Sequence, residues 1–371
     1  MKNKLLTTAL VSSMIGVVAH SATAQTTVSG NLELTYMAHS SKQANTGINS
    51  FRGFGKESQI NIANKGKLNN GMDYAAGFSF EFDGPDAGAT NTHSENVYID
   101  LISGNTTFTI GADHIQNPDV NVTNIAGFGY LRYDGSFGTD GGTTTSSRTG
   151  LYIAGANSPY SAYGVGVMQK TPIGTFSYYY APTNNTNSGA LNDIHNSASG
   201  AVAEPAGSAR GSDESAMEIG FRGDLGVKGL TVLAFANKAD QKDSGTGGDE
   251  KGRRFSAVYT TGPFTIAGDY AKTEGTTTGA TATANQAGEE VKAKSLGLGY
   301  AITPNLSASI TRGKAETNVT ARNKEETTDM IAIGYNLGAV TTTLQFKQVD
   351  NHAGSSGADA EAVQFRIGTR F

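Results

Sequence analysis

From residue 25 onward the chain alternates between apolar and polar positions. In 27–37, Val28, Leu32, Leu34 and Tyr36 share one parity, and Ser29, Asn31, Glu33 and Thr35 the other. Successive side chains of a strand point to opposite faces, so this stretch predicts a strand with one apolar and one polar face. The run 72–82 is clearer: Met72, Tyr74, Ala76, Phe78, Phe80 and Phe82 oppose Asp73, Ala75, Gly77, Ser79 and Glu81. In 361–371, Val363, Phe365, Ile367 and Phe371 oppose Gln364, Arg366, Gly368 and Arg370. Ending on an aromatic residue suits a strand that closes a barrel at a membrane interface.

The runs with this pattern are 27–37, 57–63, 72–82, 95–102, 106–114, 162–170, 174–181, 215–222, 230–238, 253–260, 263–272, 292–302, 305–314, 328–337, 340–349 and 361–371. Their joints alternate between tight and long. The tight ones, beginning with 64–71, are rich in Gly and Asn, which supply the φ > 0 positions of short turns. The long ones are polar, and 115–161 is the longest. No stretch of useful length shows the 3.6-residue period of a helix. The first strand runs outward and the last must return, so the count must be even. The strand-like segment 151–156 (LYIAGA) is therefore assigned to a long joint. The expected fold is all-β, a 16-stranded antiparallel transmembrane β-barrel.

A secreted β-sandwich would also show many short strands. Here, however, aromatic residues gather at strand ends: Tyr36, Phe82, Tyr180 and Tyr270 near long joints, and Tyr74, Phe264, Tyr300, Tyr335 and Phe371 near tight ones. That placement suits two membrane interfaces. The polar parity carries Glu33, Glu81, Asp100, Glu218, Arg222, Arg254, Asp269, Lys347 and Arg366. Such charges are costly against lipid and tolerable against water. Sixteen strands enclose an aqueous channel, so these residues, with Asp113, are the expected lumen wall.

Composition sharpens this picture. Apolar residues make up 37% of the 371, and no internal run approaches the ~18 of a membrane helix. A membrane protein of this composition must hide its apolar residues one in two. Lys2 and Lys4, the apolar run 5–19 and the small residues Ala22-Thr23-Ala24 read as a secretory signal over 1–24, leaving 25–371 as the mature barrel domain. A membrane anchor would need a longer run. The net charge of −5 disfavours a nucleic-acid partner. The absence of cysteine removes thiol nucleophiles and thiolate metal sites.

The sequence resembles the Gram-negative general diffusion porins over nearly the whole mature chain. The resemblance rests on VSGNLELTYM (28–37), LNNGMDYAAGFSFEFD, NVYIDLISGNTTFTIGADHIQNP, YGVGVMQKTPIGTFSYYYAP and the closing strand to Phe371. It implies an outer-membrane homotrimer whose third long loop, here 115–161, folds inward and narrows the pore. Asp119, Asp134 and Asp140 would supply the acids of that constriction, with Arg132 and Arg148 beside them. It also implies a basic wall cluster, for which Lys56, Arg222, Arg254 and Arg366 qualify by parity. The second long loop, 83–94, would latch onto a neighbouring subunit. The closing strand would be read by the barrel insertion machinery through Phe365, Ile367 and Phe371. This chain departs from that signal at Thr369, where an apolar residue is usual, and at Val363, where an aromatic is commoner.

Other chemistry is weakly encoded. Gly164–Thr171 (GVGVMQKT) has the outline of a phosphate loop, but Gln169 replaces the required Gly and no helix follows. Acidic turns at 83–86 and 243–250 lack ordered calcium-ligand spacing. The histidines of the mature chain, 39, 93, 114, 195 and 352, lie in or beside loops without metal-ligand spacing, and solvated side chains are expected. No cofactor or metal is expected. Three functions remain: a passive channel for ions and small hydrophilic solutes, a solute-specific channel with a saturable site in which Tyr130, Tyr133 and Phe137 could take part, and a barrel enzyme using His114 beside Asp113. The first accounts for most of the chain. A net acidic lumen predicts cation preference.

Overall fold

The computed structural model describes residues 24–41, 51–81, 93–111, 163–182, 215–239, 250–275, 289–318 and 323–371. Among them are sixteen strands: β1 (Gln25–Ser41), β2 (Phe51–Lys67), β3 (Asp73–Glu81), β4 (His93–Ser103), β5 (Thr106–Gly111), β6 (Gly164–Thr171), β7 (Gly174–Ala181), β8 (Ala216–Gly223), β9 (Leu230–Ala239), β10 (Glu250–Thr261), β11 (Phe264–Gly275), β12 (Glu289–Thr303), β13 (Leu306–Thr317), β14 (Glu326–Asn336), β15 (Val340–Asp350) and β16 (Ala360–Arg370). Each pairs antiparallel with the next, and β16 returns to β1 to close a barrel. Closure leaves no open sheet edge, which a membrane-spanning sheet requires. The sandwich alternative is thereby overturned.

Exposure follows the alternation. On β1, Leu32 and Leu34 are 45% and 49% exposed, while Glu33 and Thr35 are 8% and 3% exposed. On β16, Phe365 and Ile367 are outward and exposed, and Gln364 and Arg366 are inward and buried. The apolar parity therefore covers the outside of the barrel and the polar parity its inside. Exposed Val28, Phe108, Ile110, Leu296 and Ile310 continue the outer band. For a water-soluble protein this would be an inverted surface. For a barrel in lipid it is the stable arrangement.

The tight joints fall where the sequence places them. Between β2 and β3, the Leu68 N–H donates to the Met72 carbonyl at 2.8 Å, and Gly71 sits at φ +85°, where a side chain would be strained. β2 is longer than the expected 57–63, running from Phe51 to Lys67. Its ends carry Gly, Asn and Lys instead of an apolar period, and they are strands because β1 and β3 pair with them. Residues 112–162, 83–92 and 240–249 lie outside the described residues, and with them the segment 151–156, the expected constriction loop, most of the latch and the acidic turns.

Large rings cover glycines at several points. The ring of Phe371 packs over Gly30 on the outer face, where the two backbones exchange hydrogen bonds of 2.8 and 3.0 Å. On the inner face Tyr179 lies over Gly164 of β6, and its hydroxyl donates to the Gly111 carbonyl of β5 at 2.6 Å. Tyr179 thus braces three adjacent strands. On the outer face Phe264 and Tyr300 meet across β11 and β12 as a tilted pair with centroids 5.0 Å apart.

Candidate functional site

The inner face of the barrel gathers the charged residues that alternation singles out. Glu33 of β1 and Arg366 of β16 form an ion pair across the closing seam, through Oε2 and Nη2. Arg254 of β10 meets Asp269 of β11 in a two-pronged contact, Nε to Oδ1 at 2.8 Å and Nη2 to Oδ2 at 3.0 Å. The Ser256 hydroxyl donates to the same Oδ1. Paired forks of this kind are the strong form of a carboxylate–guanidinium contact. Glu218 of β8 accepts from Asn237 Nδ2 of β9 at 3.0 Å. These groups are buried. A charge removed from water is tolerated only with a partner of this quality.

Other wall candidates take their places on the same face. Asp100 of β4 is buried between Ala75 and Thr109. Glu81 of β3 stands opposite Gln59 and shares the inward parity of buried Ser79. Ser79 accepts from both Gln59 Nε2 and Asn96 Nδ2, each at 3.0 Å. Arg222 pairs with Leu233 near a tight joint and is exposed. Arg222, Arg254 and Arg366 belong to β8, β10 and β16, none of which pairs directly with another of the three. Asp113, His114, Asp119, Arg132, Asp134, Asp140 and Arg148 lie outside the described residues. Phe365, Ile367 and Phe371 are exposed on the outer face.

Several expectations need correction. Lys56 pairs with Leu34, and cross-strand partners share a face, so Lys56 points outward with the apolar band. His39 and His352 are buried rather than solvated. His39 lies on the inward parity of β1 opposite Ala362, and closure of the barrel covers it. His352 opens a 3-10 turn, His352–Gly354, in which its N–H donates to the Ala358 carbonyl at 2.6 Å. That joint also ties to its neighbour, because the Lys324 N–H donates to the Gly354 carbonyl.

The inner face is less uniformly polar than alternation implies. Leu233 and Phe235 of β9 oppose Arg222 and Gly220 and are buried. Met37, Met330, Val349, Ala360 and Ala362 form an apolar cluster towards the long-joint ends of β1 and β14 to β16. In β9 the run 232–236, VLAFA, is apolar on both parities, and that is the sequence signal for it. Among the described residues no group of three or more His, Cys, Asp or Glu could hold a metal ion.

The arrangement supplies a wall with fixed charges of both signs and no lipid-facing charge at mid-height on β1. Comparison with known proteins covers most of the chain. The family model described as Gram-negative porin matches residues 7–354. No curated protein matches by sequence. Among solved structures, an anion-selective porin from Comamonas acidovorans matches with TM-score 0.63 and 11% identity, covering 94% of this chain and all of that one. OmpF of Salmonella typhi, solved in complex with daunomycin, matches with TM-score 0.62 and 11% identity over 93% and 97% of the two chains. A loop L8 deletion mutant of OmpT, an outer membrane protein of Vibrio cholerae, matches with TM-score 0.60 and 13% identity over 94% and 99%.

Proposed function

This chain belongs to the Gram-negative porin family, and on that premise we propose that it is a passive, water-filled channel for ions and small hydrophilic solutes. Its place is the outer membrane. The observation that carries the reading is the closed sixteen-strand barrel with an apolar exterior and a charged inner wall. Such a wall selects by size and charge without a reaction step. Glu33, Glu81, Asp100, Asp113, Arg222, Arg254 and Arg366 line the lumen in this reading. Asp119, Arg132, Asp134 and Asp140 set the constriction within 115–161.

The functional unit is a homotrimer, exported with a signal over 1–24 and latched through 83–94. One structural relative is described as a trimer form of OmpT, which supports that state. Phe365, Ile367 and Phe371 present the closing strand to the insertion machinery. The acids of the constriction outnumber its two arginines, which favours cations. No reaction is catalysed, and His114→Ala leaves permeation unchanged with no hydrolytic activity to lose.

Single-channel recording in a planar bilayer tests the whole reading. Conductance in steps of three supports channel and trimer together. A purified protein that inserts without conductance would overturn it. A reversal potential showing anion preference in a salt gradient would remove the selectivity assignment alone.

A further inference from the structure

The cations at the tight-joint end of the lumen differ from those deeper in the wall. Arg254 and Arg366 are buried and paired with carboxylates, whereas Lys170 and Arg222 are exposed. Thr107 of β5 is buried on the inner face and opposes Met168 of β6. Residues two apart share a face, so Lys170 points inward with Met168. Lys170 opposes Thr175 of β7, and Thr175 opposes Arg222 of β8. Arg222 in turn opposes Leu233 of β9, which is buried on the inner face. Lys170, Thr175 and Arg222 thus form one inward row across three adjacent strands, with the two cations about 10 Å apart along it.

No carboxylate answers this row. Among the described residues the side chains of Lys170, Thr175 and Arg222 make no hydrogen bond or ion pair. The next inward row, Met168, Ser177, Gly220 and Phe235, carries no charge. Asp100 and Glu218 follow one row deeper and are buried, and Glu218 accepts from Asn237. On the rim, Asp224 turns back on its own loop, its Oδ1 accepting from the Gly226 N–H at 2.9 Å. Asp73 is tied to Lys67 at 2.7 Å. Lys65 and Arg370 share the inner face at this end, and Lys228 stands in the turn that holds Asp224; all three are exposed and hold no ion pair among the described residues. The tight-joint mouth is therefore positive, and its field draws anions towards the row.

We propose that Lys170, Thr175 and Arg222 bind the phosphate group of phosphate monoesters and of inorganic phosphate at the tight-joint mouth. A guanidinium presents a planar fork to two oxygens of one phosphate, and an ammonium on a flexible stem closes on a third. The Thr175 hydroxyl between them is a further donor. Such a row suits a tetrahedral group with close to two negative charges better than a monocarboxylate, which offers two oxygens and one charge. A bound phosphate stands in the bore and obstructs it from this side. The site itself needs only the closed barrel; its effect on permeation rests on the channel reading above.

The test is equilibrium binding of inorganic phosphate and of glycerol phosphate to the purified full-length protein in detergent, followed by phosphorus NMR line broadening at constant ionic strength. Lys170→Gln/Arg222→Gln should weaken the binding of both by at least about tenfold. Thr175→Val, which alters no charge and is the second variant if the first fails to fold, should weaken it about threefold. Lys251→Gln/Lys294→Gln at the long-joint end removes the same number of charges and should bind as the wild type does. Heat-modifiable gel mobility checks that each variant is folded. Equal binding by the wild type and the first variant would overturn the proposal. So would an equal loss in the long-joint pair, which would mean an effect of net charge alone, or displacement by chloride as effective as by phosphate. Tighter binding of glycerol phosphate assigns the site to phosphate esters, and tighter binding of inorganic phosphate assigns it to the free ion. Single-channel recording separates this outcome from the channel reading: a wild type that conducts without binding either probe would remove the site and leave the channel, and one that binds without conducting would remove the channel and leave the site.

Discussion

Arg254 and Asp269 sit diagonally across β10 and β11, joined by two hydrogen bonds, with side chains 4% and 0% exposed. Neither charge can be deleted alone without stranding the other. Asp269→Ala should destabilise the barrel by about 3 kcal/mol. Arg254→Leu/Asp269→Leu should recover most of that loss, because the uncompensated charge is gone. Urea unfolding of the refolded protein, followed by its heat-modifiable gel mobility, checks both values.

The seam pair Glu33 and Arg366 gives an opposite-signed expectation for permeation. Arg366→Gln leaves the carboxylate facing the lumen and should move the reversal potential towards cation preference. Glu33→Gln should move it towards anions. Measurement in a KCl gradient decides; shifts of the same sign in both variants would show that this pair does not face permeating ions.

Tyr179 should be worth more than its contact area. Tyr179→Phe keeps the ring over Gly164 and removes the donor to the Gly111 carbonyl. The expected cost is about 1 kcal/mol. Unchanged unfolding in this variant would mean that water replaces the hydroxyl.

Phe264 and Tyr300 form a cross-strand aromatic pair on the outer face near a tight joint. A double-mutant cycle to Ala should return a coupling of about 1 kcal/mol. A coupling of zero would assign their role wholly to separate contact with lipid.

Gly30→Val should impair closure most directly. Its Cβ would lie 2.5 Å from the Gln59 carbonyl oxygen and 2.6 Å from Phe371 Cζ. Overpacking of this kind costs about 1–3 kcal/mol. Gel mobility of the folded form should show a reduced yield, with partial rescue by Phe371→Leu.

The outer face was legible in the sequence because lipid imposes one rule on every strand. Phe78, Phe80, Phe365 and Ile367 are apolar for the same reason, and their period of two fixes strand and face together. The inner face follows no comparable rule. Leu233 and Phe235 point inward opposite Arg222 and Gly220 and are buried there, although both are apolar. His39 is buried by ring closure, which a local reading cannot contain. Lys56 shows the limit of parity taken without pairing, since its partner Leu34 settles its direction. The ends of β2 were missed because pairing with β1 and β3, and not an apolar period, makes them strands.

Thr369 interrupts the outer band of β16, yet its hydroxyl donates to the Ala339 carbonyl at 2.8 Å. The polar group is thus satisfied within the barrel.

The ring of Phe371 over Gly30 has a wider consequence. If β16 slid along β1 by two residues, every side chain would keep its face, so neither lipid nor water would oppose the slip. The stagger of the closed sheet would change, and strand tilt and barrel diameter are tied to that stagger. In either slipped register, however, Phe371 would meet Val28 or Leu32, whose side chains occupy the space that Gly30 leaves open. A contact on the outside of the wall thereby gauges the width of the bore within.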